Sequence, residues 1–233
     1  MKYWKDQLLR DLPYIKDTET LFAATELLIR QLGFKHYAYT FYTSPSPLCG
    51  SAQSHNNYPP AWNRLYQQRH FQSIDPITLH CQHSLLPLLW SDEAFIRHPD
   101  FREQQKNHGL AHGLSQSTHD ALSRKSILSI ARTAPALSLE EFHEKSNHAI
   151  WLCNLLHIIM TDIQLSLDSP HKLSPREVEV LRWSALGKTV GQIAQLLQLS
   201  ERTVNFHIGA AIRKLGAANK TAAVARAALH GLI

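Results

Sequence analysis

Residues 173–220 read LSPREVEVLRWSALGKTVGQIAQLLQLSERTVNFHIGAAIRKLGAANK, and local signals in that stretch settle the architecture of the C-terminal part of the chain. Ser174, Pro175 and Glu177 supply an N-cap, a first-turn proline and a capping-box glutamate, which predicts a helix closed by Gly187. Val178, Leu181 and Leu186 make its inner face. Thr189 with Gln192 opens a second, short helix through Ile193, Ala194, Leu196 and Leu197. A three-residue break, Gln198 to Ser200, follows, and Ser200 caps a third helix running to about Leu215. Val204, Ile208, Ala211, Ile212 and Leu215 face inward on it. Gly216 stops that helix, and Asn219 caps a fourth that ends at Gly231.

Charge separates this piece from the rest. The 233 residues hold 24 Lys and Arg against 19 Asp and Glu, yet residues 1–170 hold 15 against 16 and residues 171–233 hold 9 against 3. A near-neutral body with a small basic end suits nucleic-acid binding by that end, or simply a solvated basic face. Two helices joined by a tight turn, the second bearing Arg202, Thr203, Asn205, Arg213 and Lys214 outside its apolar stripe, match a helix-turn-helix with a recognition helix. Arg182, Lys188, Arg202, Arg213, Lys214 and Lys220 are candidate phosphate contacts. Asn205 is the candidate base reader, because a carboxamide pairs bidentately with adenine.

Upstream, residues 166–173 (SLDSPHKL) are short and polar and read as a linker. Before them, Ser138 with Glu141 opens a long helix whose stripe of Phe142, Ala149, Leu152, Leu156, Ile159 and Ile163 is widened by Trp151, Leu155 and Ile158, giving a core face with or without a partner face. Thr18 to Leu32 reads as a helix ended by Gly33, and His36 to Thr43 as a strand. Pro45, Pro47 and Gly50 then break the chain. Pro60–Arg69, Pro76–His83 and Asp100–Asn107 read as helices, Gly113–Thr118 and Ser126–Arg132 as strands. The expectation is α+β: an N-terminal α/β/α sandwich with an antiparallel sheet, plus a small all-α, four-helix helix-turn-helix domain. The boundaries are 1–165, 166–172 (linker) and 173–233.

The pattern Leu173-Ser-Pro-Arg-Glu-x-Glu-x-Leu181, Trp183-x-Ala185-x-Gly187-Lys188-Thr189, Ile193-Ala194, Ser200-x-x-Thr203-Val204-x-x-His207, Lys214-Leu215 and Asn219-Lys220 resembles the DNA-binding domain of LuxR-type transcription regulators. That resemblance implies a dimeric DNA binder whose contacts fall among Arg182, Lys188, Thr189, Arg202, Thr203, Asn205, His207, Arg213, Lys214 and Lys220. Glu179, Leu181, Gly187, Val204 and Leu215 would be scaffold. Gly209 departs from the family, which often places a long base-reading side chain there.

The N-terminal part resembles the acyl-homoserine lactone binding domain of quorum-sensing LuxR-type receptors through Asn57-Tyr58-Pro59-x-x-Trp62-x-x-x-Tyr66, Ile74-Asp75-Pro76, Trp90 and Gly113. The resemblance implies a ligand site of Tyr58, Trp62, Tyr66, Asp75, Pro76, Trp90, Gly113 and Ser129. In it Trp62 would donate to the lactone carbonyl, Asp75 would accept from the amide N–H, and Tyr58 and Ser129 would meet the amide carbonyl. Tyr66 and Trp90 would pack on the ring and upper acyl chain. A second departure is the polar run Leu114-Ser-Gln-Ser-Thr-His119, which places Gln116 and Ser117 beside the pocket strand.

Other chemistries find little support. The cysteines Cys49, Cys81 and Cys153 form no metal or disulfide framework. His80-x-x-His83 and His108-x-x-x-His112 lack further ligands, and Gly187-Lys188-Thr189 lacks the first glycine of a phosphate loop, because Arg182 stands there. Neither a nucleophile motif nor a membrane span is present. The resulting expectation is a cytoplasmic, non-enzymatic, quorum-sensing transcription regulator, an activator and homodimer, with no catalytic residue, no metal and no cofactor beyond an N-acyl-homoserine lactone effector. Its partners would be near-palindromic promoter DNA and, as a candidate, RNA polymerase. The alternative is an orphan LuxR-type regulator sensing another small molecule or acting without ligand.

Overall fold

Alternation along the strand His36–Tyr42 divides the N-terminal part into two faces. Tyr37, Tyr39 and Phe41 are buried while Ala38, Thr40 and Tyr42 are half-buried, as the two-residue period of a strand requires. In a computed structural model of the chain, which describes residues 15, 17–43, 52–121, 124–167, 173–229 and 231–233, this strand (β1) joins a five-stranded antiparallel sheet. The others are β2 (Ala52–Asn56), β3 (Leu88–Leu89), β4 (His112–His119) and β5 (Lys125–Arg132), in the order β2-β1-β5-β4-β3. The chain divides into two compact units, Met1–Gln164 and Leu165–Ile233.

One face of the sheet is covered by α1 (Thr18–Gln31) and α5 (Leu139–Leu167). Leu21, Phe22, Leu28 and Ile29 from α1 and Ala149, Leu152, Leu156 and Met160 from α5 pack with Tyr37, Tyr39, Phe41, Leu128 and Ile130. Each such leucine or phenylalanine contributes about 1.5–3 kcal/mol by leaving water, so packing outweighs capping in seating these helices. Ile158 stays 57% exposed, which narrows the predicted stripe of α5. Its predicted capping box is half formed. Ser138 Oγ accepts from Glu141 N at 3.1 Å, but the Glu141 carboxylate takes two bonds from Arg132, at 2.6 and 2.9 Å, and ties α5 to β5.

The other face carries α2 (Pro60–Gln68), α3 (Pro76–His83) and α4 (Pro99–Asn107). A second cluster there joins Trp62, Phe71, Trp90, Phe95, Phe101 and Ile127. This is the expected α/β/α sandwich. The sequence reading missed β2 and β3, an exposed polar edge strand and a two-residue strand. Gln116 and Ser117 leave the sheet regular: β4 pairs with β5 from His112 to His119, and the two side chains donate to the carbonyls of Leu85 and Ser84. The breaks at Pro45, Pro47 and Gly50, and Cys49, lie outside the described residues. Helix α5 includes Ser166 and Leu167, and the rest of the predicted linker, 168–172, is likewise outside them.

The second unit holds α6 (Pro175–Ala185), α7 (Val190–Leu197), α8 (Glu201–Lys214) and α9 (Lys220–Leu229). Both capping boxes, Ser174 with Glu177 and Thr189 with Gln192, are complete. Gly187 and Gly216 have φ of 77° and 58°, a region that glycine enters without strain. Val180, Ile193, Val204 and Ile208 form one part of the core and Leu181, Ala211, Ala223 and Ala227 the other. Leu186, expected inside, is 69% exposed, because it follows the last helical residue of α6 and Val180 takes the inward place.

Candidate functional site

Between the sheet and α2, α3 and α4 lies a cavity of about 520 Å³, within the range for small-molecule sites. Its floor is the half-buried face of β1 (Ala38, Thr40, Tyr42) with Ser54 of β2 and Ile127 and Ser129 of β5. Its wall is Tyr58, Trp62, Tyr66, Asp75, Thr78, Phe101 and Gln105. Five of the eight residues expected at the ligand, Tyr58, Trp62, Tyr66, Asp75 and Ser129, are brought together here. Pro76, Trp90 and Gly113 are not among the lining residues.

Local structure explains the placement. Asn57 extends the ladder beyond β1, accepting from Tyr37 N at 2.8 Å and donating to Lys35 O at 3.1 Å. Asn56 Oδ1 accepts from Tyr58 N and Asn63 Nδ2, so the turn delivers Tyr58 to the cavity as α2 begins. Trp62 and Tyr66, one helical turn apart, share a face. The Trp62 ring meets Phe101 at 5.5 Å and Phe71 at 6.0 Å between centroids. Trp62 is 2% exposed, and its indole N–H donates to no group among the described residues. Such a donor calls for an acceptor from outside the fold.

Asp75 does two jobs. Its Oδ1 accepts from Ile77 N at 2.9 Å, capping α3, and its Oδ2 accepts from Tyr66 Oη at 2.9 Å and Thr78 Oγ1 at 3.3 Å. Burial raises its pKa above the ordinary value, and the bonds from Ile77, Tyr66 and Thr78 pull against that rise. The Tyr58 and Tyr66 hydroxyls are pushed up, first by burial and then by the neighbouring Asp75 charge, so both stay protonated donors.

Pro76 starts α3. Trp90 acts from behind the wall: its indole N–H donates to Ser115 Oγ at 2.9 Å, and Ser115 Oγ meets Ser129 Oγ at 2.7 Å. Ser115 Oγ, which accepts from Trp90, thereby shares a hydrogen bond with Ser129 in which either hydroxyl can donate, and the Ser129 hydroxyl neighbours that of Tyr58. Gly113 permits this arrangement, because a Cβ there would press on the Ile130 carbonyl oxygen and come within 2.9 Å of the Trp90 ring.

In the C-terminal unit, α7, the turn through Gln198 (φ 54°) and α8 make a helix-turn-helix. Arg202, Asn205 and Arg213 are exposed on α8, as is Arg182 on α6. Thr189 and Thr203 are engaged at helix starts, Thr189 as the cap of α7 and Thr203 bonded to Ser200 at 2.8 Å. His207 is half-buried. Lys220 Nζ reaches Lys188 O at 3.5 Å. Lys214 Nζ bonds both oxygens of Glu177, at 2.8 and 3.0 Å. Burial works to raise the Glu177 pKa, but Lys214 and the Ser174 N–H outweigh it and lower it.

Phe206, 66% exposed beside Asn205, and Gln105 went unnoticed in the sequence. An aromatic off the apolar stripe and a glutamine one turn after Phe101 were the available signals. Among the described residues no group of His, Cys, Asp and Glu is arranged to hold a metal ion, and no helix is long and apolar enough to cross a membrane.

The autoinducer binding domain family matches over residues 17–158, and the luxR family of bacterial regulatory proteins over residues 171–227. The chain is 34% identical to the transcriptional activator protein AnoR of Acinetobacter nosocomialis across 100% of both chains. It is also 34% identical to the HTH-type quorum-sensing regulator RhlR of Pseudomonas aeruginosa, across 99% of this chain and 96% of that protein. A crystal structure of Escherichia coli SdiA superposes with a TM-score of 0.83 at 29% identity, covering 99% of this chain and 98% of that one. SdiA in complex with octanoyl-rac-glycerol superposes with a TM-score of 0.80 at 30% identity, covering 99% and 95%.

Proposed function

The chain belongs to the LuxR family of transcription regulators, and on that premise we propose that its cavity takes an N-acyl-homoserine lactone, which switches a homodimer at near-palindromic promoter DNA. The observation that carries the ligand class is the set of polar groups gathered around the aromatic wall of the cavity. Trp62 offers an unpartnered N–H, Asp75 a buried carboxylate, and Tyr58 and Ser129 a pair of hydroxyls. An acylated homoserine lactone presents the complements: a ring carbonyl, an amide N–H, an amide carbonyl and an apolar tail.

At the other end, Arg182, Lys188, Arg202 and Arg213 bind phosphates, while Asn205 and Phe206 face the base edges. Lys214 supports the recognition helix from Glu177. Two recognition helices in a dimer span half-sites about 10 base pairs apart. The bound dimer acts as an activator, with RNA polymerase as its partner at the promoter.

Thermal unfolding of the full chain with a panel of acyl-homoserine lactones tests this reading. At a hundredfold excess over the dissociation constant the ligand stabilises by about 2.7 kcal/mol, and the shift is lost in Asp75→Asn. A second reading is an acylated head group without an amide, favoured by the likeness to SdiA with octanoyl-rac-glycerol. A larger shift with that glyceride than with any lactone would select it.

A further inference from the structure

Among the cavity's further polar residues, Gln105 stands out because its side-chain amide is held in one orientation. Gln105 is 2% exposed and lines the cavity. It stands one helical turn after Phe101 on α4, so the two share a face, and Phe101 lies against Trp62. Gln105 Oε1 accepts from Arg102 Nη1 at 2.9 Å. A guanidinium only donates, so the amide has one orientation: oxygen to Arg102, nitrogen left over. Arg102 is itself immobilised. Its Nη2 donates to Trp90 O at 2.8 Å, its Nε to Asp92 at 3.2 Å, and its guanidinium lies 4.7 Å over the Phe95 ring. Gln105 Nε2 donates to no group among the described residues. An amide donor with its carbonyl pinned and its N–H open to the cavity is available to a ligand.

We infer that Gln105, oriented by Arg102, is a specificity-determining donor for an acceptor oxygen on the ligand's head group, acting beside the Trp62 indole N–H. The inference rests on the acyl-homoserine lactone reading and adds a requirement to it. A lactone carbonyl has two lone pairs and can take both donors, whereas the cyclopentyl ring of a carbocyclic amide offers them no acceptor. Arg102 is a positioning residue here, because it bonds Gln105 and is not among the residues lining the cavity.

The test compares two probes on the full chain: an acyl-homoserine lactone and the N-cyclopentyl amide of the same acid, at the acyl length giving the largest thermal shift in the wild-type protein. Dissociation constants are measured for wild type, Gln105→Met and Gln105→Glu. Gln105→Glu keeps the shape and the Arg102 contact but has no donor, so it remains informative should Gln105→Met fold poorly. Both variants are expected to lose roughly tenfold in lactone affinity and to bind the cyclopentyl amide as the wild type does. Equal losses for the two probes, or unchanged lactone affinity, would overturn the role given to Gln105. A folded wild-type protein that binds no lactone overturns the underlying ligand reading instead.

Discussion

The Tyr66 hydroxyl donates to Asp75 Oδ2 across 2.9 Å, so the carboxylate lining the cavity is already held in place before any ligand reaches it. Burial raises its pKa, and the Ile77, Tyr66 and Thr78 bonds oppose the rise without cancelling it. In the free protein this contribution to stability is fully present below the ordinary aspartate value of 3.8 and is lost as pH rises through the higher folded value. A ligand amide N–H bonds the carboxylate more strongly than the protonated acid, so affinity runs the other way. Calorimetric titration should find lactone binding tightening from acid toward neutral pH in the wild type, with the weak residual binding of Asp75→Asn at high ligand concentration independent of pH over that interval. A flat wild-type profile would count against the Asp75 contact.

Gly113→Ala should destabilise the N-terminal unit. The new methyl meets a backbone carbonyl on one side and the Trp90 ring on the other, and neither gives way cheaply. The expected cost is about 1–3 kcal/mol, read from urea unfolding. An unchanged midpoint would show that the close approach is unimportant.

Arg213 and Lys214 should separate in a salt titration of DNA binding. Arg213 is exposed, and Arg213→Met should lower the slope of log affinity against log salt by about 1. Lys214→Met instead strips the partner from buried Glu177. It should cost about 1–3 kcal/mol of stability and leave the salt slope as it was.

Phe206 should read a thymine methyl. It is exposed next to Asn205, and Gly209 one turn on presents no side chain to keep the groove away. Deoxyuridine in place of one thymine per half-site, within a sequence selected from random duplexes, should weaken wild-type binding about fourfold, the worth of one buried methyl. Phe206→Ala should not feel that change. Equal sensitivity in both proteins would remove Phe206 from the base-reading surface.

The helix-turn-helix was legible because its signals are local. Ser174, Thr189, Ser200 and Asn219 each cap a helix within three residues of themselves, and Gly187 and Gly216 mark stops by backbone conformation alone. In the N-terminal unit, β1, β4 and β5 could be read from alternation and residue type. Ala52–Asn56 could not, because an edge strand with exposed polar side chains differs little from a loop until its neighbour is known. Leu186 and Glu141 were misplaced for a related reason. Which way a terminal leucine turns, and whether a cap-box glutamate answers its own helix or Arg132, depends on contacts from elsewhere in the chain. Helix α4 hid the most. PDFREQQKN looks solvated, yet Arg102 and Gln105 are buried, each satisfying part of the other's bonding.

The hydroxyl of Ser129 takes its bearing from Ser115, and Ser115 from Trp90, which is not among the cavity-lining residues. Ligand preference in such a protein can therefore drift through substitutions that never touch the ligand. A lineage that altered residue 90 or 115 would change what Ser129 offers while every lining residue stayed the same. Two receptors with identical pocket linings can then answer to different signals, and a comparison restricted to those linings would miss the cause.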